Sequence, residues 1–353
     1  MEVASRIDDF HSWKREMIKF AEKAEAEDRL RDACILYRAA EFYTNPSDPD
    51  KDRFYNKFID LFYTAFRGDS FERFEIPFED GCLSAMRFAP ELATNSVVVM
   101  HGGFDSFIEE LYPIATYIAN KGFDIIMFEG PGQGRPLHHY GLKMTHEWEK
   151  PVRTVIDYFK LTDVTLIGMS LGGFLVPRAA AFEPRVSRVV LWGVVYDLIG
   201  QIDLMTRSVL KLLLRLKAKS VVNGLFDSLL KRRDPTDPRR LNSEWFYGHA
   251  LYNTGCETVY DYLKEANENY TTKNISHLVK QDVLMLVGKD DIQGKAQSFF
   301  TKQKSALINA RSVTGRVFTR EEHASQHCQA GNLKLALDYI LNWIAASQDN
   351  QEF

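Results

Sequence analysis

The stretch that most constrains this chain is Thr165-Leu-Ile-Gly168-Met-Ser170-Leu-Gly172-Gly173. The apolar run Val164 to Ile167 reads as a buried strand, and Gly168-Met-Ser170-Leu-Gly172 matches the pattern G-x-S-x-G. A helix-like segment, Gly173 to Phe182, follows at once. Strand, sharp turn and helix in that order make the pentapeptide a nucleophile elbow. The turn forces Ser170 into a strained backbone conformation, so its neighbours must be small. Gly168 and Gly172 meet that need, and Gly173 lets the helix approach the strand. The elbow lifts the Ser170 hydroxyl to the top of a sheet at a helix N-terminus, where a developing oxyanion is favoured.

The rest of the chain supplies that sheet. Phe10, Trp13, Met17, Phe20 and Ala24 fall on one helical face, as do Leu30, Ala33, Cys34, Tyr37 and Ala40, and then Phe54, Phe58, Leu61, Phe62, Ala65 and Phe66. Asn45-Pro-Ser-Asp-Pro-Asp separates the second helix from the third. Residues 1–68 are therefore expected to form an N-terminal helical domain, with aromatic stripes as its core. From about residue 70 the period changes. Phe71 to Pro77 and Cys82 to Phe88 read as an antiparallel hairpin around Glu79-Asp-Gly. Strands at Ser96–Met100, Phe123–Phe128, Val164–Ile167 and Val189–Val195 alternate with helices at Ile108–Asn120 and His146–Phe159. That alternation predicts an α/β fold, a mostly parallel sheet with helices on both faces. Residues 69–195 are its first part. Residues 196–278, far too long for an ordinary connection, read as an inserted helical lid. Residues 279–353 complete the sheet with strands at Asp282–Gly288 and Val313–Phe318 and a closing helix, Leu333–Ala346.

Ligands bind such sheets outside the carboxyl ends of the strands, and the chemically useful motifs sit there. His101-Gly-Gly-Phe104-Asp-Ser106 follows the Val97–Met100 run. Its glycines leave backbone N–H groups open to a carbonyl, so Gly103 or Phe104, with Leu171, is expected to form an oxyanion hole; His101 reads as structural. Glu129-Gly-Pro-Gly-Gln-Gly134-Arg135 is neither a P-loop nor a G-x-G-x-x-G helix opening, and reads as a loop bordering the pocket. Asp290 and Asp291 follow Gly288, where a Ser…Asp…His order places its acid; Asp291 is preferred, with Asp197 a distant third. The loop after the last strand carries His323 and His327. The latter, just before Cys328-Gln-Ala-Gly and the final helix, is preferred as general base, and Cys328 reads as a packed neighbour. Trp192, Trp245 and Tyr247 are expected to line a substrate pocket, with Phe246 and Tyr252 as further candidates for an aromatic wall or for lid core.

Composition excludes some alternatives. The net charge of −4 and pI near 6.2 do not suit a nucleic-acid binder. Cys34, Cys82, Cys256 and Cys328 are scattered, without CxxC spacing or a disulfide framework. No metal or other cofactor is implied. The opening residues are polar, and no run of 18 apolar residues occurs, so a cytoplasmic location is expected. The leucine-rich, basic segment Ser208–Arg233 reads as lid packing rather than a membrane contact. The N-terminal helices offer a surface on which two subunits could pair.

Ser170, Asp291 and His327 occur in the chain order of the α/β-hydrolase superfamily. The HGGFDSFIEELY stretch, EGPGQG, GMSLGGFLVPRAAAFEPRV and the terminal HCQAGN further resemble 2,6-dihydropseudooxynicotine hydrolase, the fungal yellowish-green polyketide hydrolases and the dipeptidyl-aminopeptidase-like serine hydrolases. The resemblance covers most of the chain. It implies a catalytic triad on Ser170, Asp291 and His327, and cleavage of an ester, amide or β-diketone-type C–C bond in a small organic substrate. Serine peptidase, acyl-transferring or cyclising enzyme, and non-catalytic receptor are the other activities such a fold could host.

Overall fold

The computed structural model describes residues 4–91, 97–291 and 295–349; Ser96, expected to start the third strand, lies outside them. The chain forms two compact units. One holds the residues up to Asp69 together with Leu210–Tyr262, and the other holds Ser70–Val209 and Leu263 onward. The stretch read as a single inserted lid is thus shared. Its middle belongs with the N-terminal helices, and its two flanks belong with the sheet. Hydrophobic periodicity marks each helix but carries no record of which distant helix it packs on.

The helical unit contains α1 (Phe10–Ala26), α2 (Leu30–Tyr43) and α3 (Asp50–Ala65), the latter part of α8 (Leu204–Arg215), then α9 (Lys219–Lys231), α10 (Pro238–Thr254) and the start of α11 (Val259–Glu268). α1 opens with a capping box. Asp9 Oδ1 accepts from Ser12 N–H at 2.7 Å, and Ser12 Oγ accepts from Asp9 N–H at 3.0 Å. α10 begins at Pro238 behind the Asp237 cap and ends at Gly255, whose φ of 72° suits a left-handed C-terminal stop. Trp245 on α10 stacks on Phe42 of α2 at 5.0 Å and donates its indole N–H to the Phe42 carbonyl.

The other unit is built on an eight-stranded sheet: β1 (Glu72–Phe78), β2 (Gly81–Phe88), β3 (Val97–His101), β4 (Asp124–Glu129), β5 (Val164–Met169), β6 (Val186–Trp192), β7 (Asp282–Gly288) and β8 (Ser312–Phe318). The spatial order is β1-β2-β4-β3-β5-β6-β7-β8. β1 and β2 pair as the expected hairpin, and β2 runs antiparallel to β4; all other pairings are parallel. Interleaved are α4 (Tyr112–Asn120), α5 (Gly134–Tyr140), α6 (Glu149–Tyr158), α7 (Gly172–Phe182), α12 (Ala296–Ala306) and α13 (Leu333–Asp349). α4 and α6 start later than their apolar patterns, and the seven residues of α5 are too few to show a period.

The interior strands read as continuous apolar runs because both faces are covered. Val164, Leu166 and Ile167 of β5 and Val283 to Val287 of β7 are fully buried. Each such side chain stabilises the fold by about 1.5–3 kcal/mol. The chain passes from β3 outward to β4 and then back across to β5, on the other side of β3. This reversal leaves a crevice at the carboxyl ends of β3 and β5, where His101 pairs in register with Gly168. No helix among the described residues is long and apolar enough to cross a membrane.

Candidate active site

Ser170 sits between β5 and α7 with φ of 61°, a left-handed conformation costly for a residue with a side chain. The surroundings enforce it. Ser170 N–H donates to the Trp192 carbonyl at 2.8 Å, and Gly173 N–H donates to the Ser170 carbonyl at 2.9 Å. A Cβ on Gly173 would lie 1.6 Å from the Gly193 carbonyl oxygen, so the helix can follow the strand this closely only with glycine there.

The turn presents Ser170 Oγ to His327 Nε2 at 2.9 Å. On the other side of the ring, His327 Nδ1 lies 3.0 Å from both carboxylate oxygens of Asp291. Three side chains from the ends of β5, β7 and β8 thus form one hydrogen-bonded row. The alternatives considered from sequence lie elsewhere. Asp290 is paired with Arg320 at 2.5 and 2.8 Å, Asp197 is paired with Lys273, and His323 is exposed. Asp291 is itself buried. Burial works against the charged form of His327, but the hydrogen bond to Asp291 and the neighbouring Cys328 outweigh it and hold the pKa above the ordinary value for histidine.

The backbone after His327 is also unusual. Cys328 and Gln329 both have positive φ, 47° and 53°. This strained pair is held by Trp192. The Trp192 indole N–H donates to Gln329 Oε1 at 2.8 Å, and Cys328 Sγ lies 3.5 Å from the Trp192 carbonyl. The same carbonyl receives the Ser170 N–H, so one residue at the end of β6 ties the serine turn to the histidine loop. Trp192 was expected to line the pocket. It is instead fully buried, with its one polar atom used internally, so it is a link within the fold. Only the register of β6 against β5, Met169 opposite Trp192, identifies that role. Trp245 and Tyr247, the other expected pocket residues, lie in the helical unit. Tyr247 there packs among Phe226 at 4.7 Å and Tyr262 at 6.0 Å.

The candidate oxyanion loop lies against the elbow. A Cβ on Gly103 would come within 2.6 Å of Leu171 N and 2.9 Å of Ser170 Cβ. Leu171 opens α7, where the first N–H groups have no intrahelical acceptor. Gly103 N–H points at Ser106 Oγ at 3.3 Å. Beneath the loop, Trp148 Nε1–H donates to His101 Nε2 at 3.0 Å, so the ring proton is on Nδ1 and donates to the Gly102 carbonyl at 2.8 Å. Complete burial pushes the His101 pKa down to about 4, against the pull of that carbonyl. The ring stays neutral and serves as a two-ended strut.

The chain is similar to several known proteins. Hydrolase acrC of Aspergillus aculeatus is 28% identical over 269 residues, 66% of this chain and 60% of that protein. The 20-hydroxy-prefusarin hydrolase FUS2 of Gibberella moniliformis is 29% identical over 303 residues, 74% of this chain and 70% of that protein. The match to Hydrolyase poxO of Penicillium oxalicum spans 54% of that protein, so the chain aligns with little more than half of some relatives. Among solved structures, 2,6-dihydroxy-pseudo-oxynicotine hydrolase superposes with a TM-score of 0.66 at 20% identity, covering 95% of this chain and 86% of that one. Wild-type AbyA5 superposes with a TM-score of 0.69 at 18% identity, covering 99% and 89%. These two likenesses establish a common fold. Residues 97–327, from the start of β3 to the histidine of the row, match the Alpha/beta hydrolase family, and the chain belongs to that family.

Proposed function

We propose that this hydrolase uses Ser170 as a nucleophile on a carbonyl carbon of a small organic substrate, cleaving an ester, amide or β-diketone-type C–C bond through an acyl-enzyme. The observation that carries the reading is the unbroken row from Asp291 through His327 to Ser170, with contacts of 3.0 and 2.9 Å. His327 Nε2 takes the Ser170 proton as Oγ attacks. Asp291 holds the ring in the Nδ1–H tautomer and favours the imidazolium that forms, in keeping with the raised pKa of His327. The carbonyl oxygen becomes an oxyanion held by Leu171 N–H and an N–H of Gly103 or Phe104; each such donor is worth about 3 kcal/mol of barrier. The tetrahedral intermediate collapses, and His327 gives its proton to the departing oxygen, nitrogen or carbanion. Water, deprotonated by His327, then attacks the ester to Ser170 and releases the acid.

The hydrolase names of the fungal relatives support hydrolysis, and 20-hydroxy-prefusarin, named for one of them, supports a small organic substrate. A fluorophosphonate probe tests the nucleophile. The native chain should label once and lose turnover of p-nitrophenyl acetate, and Ser170→Ala should neither label nor turn over. Stoichiometric labelling of folded Ser170→Ala at the same rate would end the assignment.

A further inference from the structure

Glu129-Gly-Pro-Gly-Gln133-Gly134 ends β4 and opens α5. The chemistry above makes no use of it, yet its two polar side chains are buried, Glu129 at 2% and Gln133 at 3% exposure. Gln133 Oε1 accepts from Gly130 N–H at 2.9 Å, which sets the carboxamide so that Nε2 faces the loop after β3. Nε2 donates to the Gly103 carbonyl at 2.7 Å and to the Gly102 carbonyl at 3.2 Å. Glu129 anchors the surroundings. Its Oε1 accepts from Ile108 N–H at 3.1 Å, and its Oε2 accepts from Arg135 N–H at 3.0 Å and the Ser84 hydroxyl at 2.6 Å.

A trans peptide is planar, with its C=O and N–H pointing opposite ways. The Gly102 carbonyl shares a peptide with Gly103 N–H, and the Gly103 carbonyl shares the next with Phe104 N–H. Holding both carbonyls on one carboxamide therefore sets the direction of both candidate oxyanion donors. Glycine leaves those two peptides with more freedom than any other residue; within the loop Ser106 Oγ takes Gly103 N–H of the first at 3.3 Å, and both carbonyls are held from outside it. The His101 strut reaches only the first, through the Gly102 carbonyl. The Gln133 carboxamide reaches both. Electrostatic stabilisation of an oxyanion depends on donors that are already aimed before charge develops, which gives the carboxamide a kinetic consequence although it touches no substrate.

We infer that Gln133 is a positioning residue for the oxyanion hole, its carboxamide holding two consecutive glycine peptides so that the N–H groups of Gly103 and Phe104 stay directed for the reaction. The inference rests on the serine-hydrolase reading. Gln133→Met removes the donor at nearly constant volume. With p-nitrophenyl acetate, kcat should fall about 10–100-fold while KM stays within about threefold, the pattern for a contact that matters in the transition state. That is less than the ~10²–10³-fold lost when a donor itself is removed. A trifluoromethyl ketone, which forms a hemiketal oxyanion on the serine, should weaken by the same factor. The pH midpoint of kcat/KM should not move, because Gln133 contacts neither His327 nor Asp291.

Active-site titration with fluorophosphonate separates positioning from damage. A kcat loss that equals the fraction of molecules unable to label means that Gln133 only holds the fold, and overturns the inference. Wild-type kcat in Gln133→Met overturns it too. Turnover retained by Ser170→Ala would instead remove the reading beneath it, and the inference would fall with that reading.

Discussion

The two units fill their interiors with different chemistry. In the sheet-bearing unit the middle of the sheet is apolar, with Val283 to Val287 wholly buried; its buried polar groups include the candidate site at the carboxyl ends of the strands and Arg188, Thr165 and Asp282 towards the amino ends. In the helical unit the polar groups are inside. Glu41 of α2 is paired with Arg38, and Lys51 of α3 lies 2.6 Å from the Glu41 carboxylate and 3.0 Å from His249 of α10. His249 Nδ1 faces the Trp245 carbonyl at 2.8 Å, so Nε2 accepts from the lysine. All four side chains are buried. A strand gets its register from backbone pairing and needs no polar core. α2, α3 and α10 have no such ladder, and a buried ionic network links them instead, although its desolvation offsets much of its attraction.

That contrast assigns opposite consequences to two carboxylates. In the proposed mechanism Asp291 acts on the His327 ring, whereas its neighbour Asp290 pairs with Arg320. Asp291→Asn should cost about 10⁴-fold in kcat with the fold intact, since the amide favours the wrong imidazole tautomer, while Asp290→Asn should change kcat by less than about threefold. The pH profile adds a sign. His327 must be neutral to accept the serine proton, and its pKa is raised, so kcat/KM should rise with pH through a midpoint above 6.5 and be lost below it. Removing the Asp291 charge withdraws support from the imidazolium, and the residual activity of Asp291→Asn should titrate at lower pH. A midpoint that stays put would mean that the carboxylate does not act on the ring.

His249 is the counterpart in the helical unit. Burial and the Lys51 charge push its pKa down to about 3. A depressed histidine is neutral in the fold and takes up a proton on unfolding. Its stabilisation is therefore whole above pH 6.5 and is withdrawn as pH falls towards 3. Between pH 7 and 4.5 this amounts to roughly 2–3 kcal/mol, at 1.36 kcal/mol per unit. Local unfolding of α10, followed by hydrogen exchange, should lose about that much in the native chain and distinctly less in His249→Gln, whose carboxamide oxygen can still accept from Lys51. Equal acid slopes in the two proteins would show that the network does not hold the imidazole neutral.

How far each unit could be read from sequence follows from the same contrast. The apolar run before Gly168 and the spacing Gly168-Met-Ser170-Leu-Gly172 are local, and they led to the strand, the turn and the serine. The positions of Asp291 and His327 after successive strands led to the other two side chains of the row. Chain order says which strand end a residue occupies, and a parallel sheet lines those ends up. The helical unit is written in two pieces, the residues up to Asp69 and then Leu210–Tyr262. Nothing in the period of α2 says that Glu41 will face a lysine from α3 and a histidine from α10. The contacts of Gln133 and Trp192 are illegible for a related reason: where a carboxamide or an indole N–H ends is given only by coordinates.

Trp192 provides the finest comparison, because it sits where apolar core meets reacting groups. Trp192→Phe keeps the main-chain carbonyl that accepts Ser170 N–H and loses the indole N–H that reaches Gln329, together with some buried ring volume. A buried amide oxygen left without its donor costs about 1–3 kcal/mol. If Trp192 were ordinary core, that loss would appear in stability alone. Because Gln329 and Cys328 are a strained pair beginning one residue after His327, the structure predicts more. The loop should relax, the His327–Ser170 contact should lengthen in part of the population, and kcat should fall by about tenfold with KM unchanged, the pattern of a contact made in the transition state. Gln329→Met added to Trp192→Phe removes the acceptor as well as the donor and leaves neither orphaned, so the double variant should recover part of the stability and keep the kcat defect. A variant pair that loses stability without any kcat change would place Trp192 with the apolar strands rather than with the site.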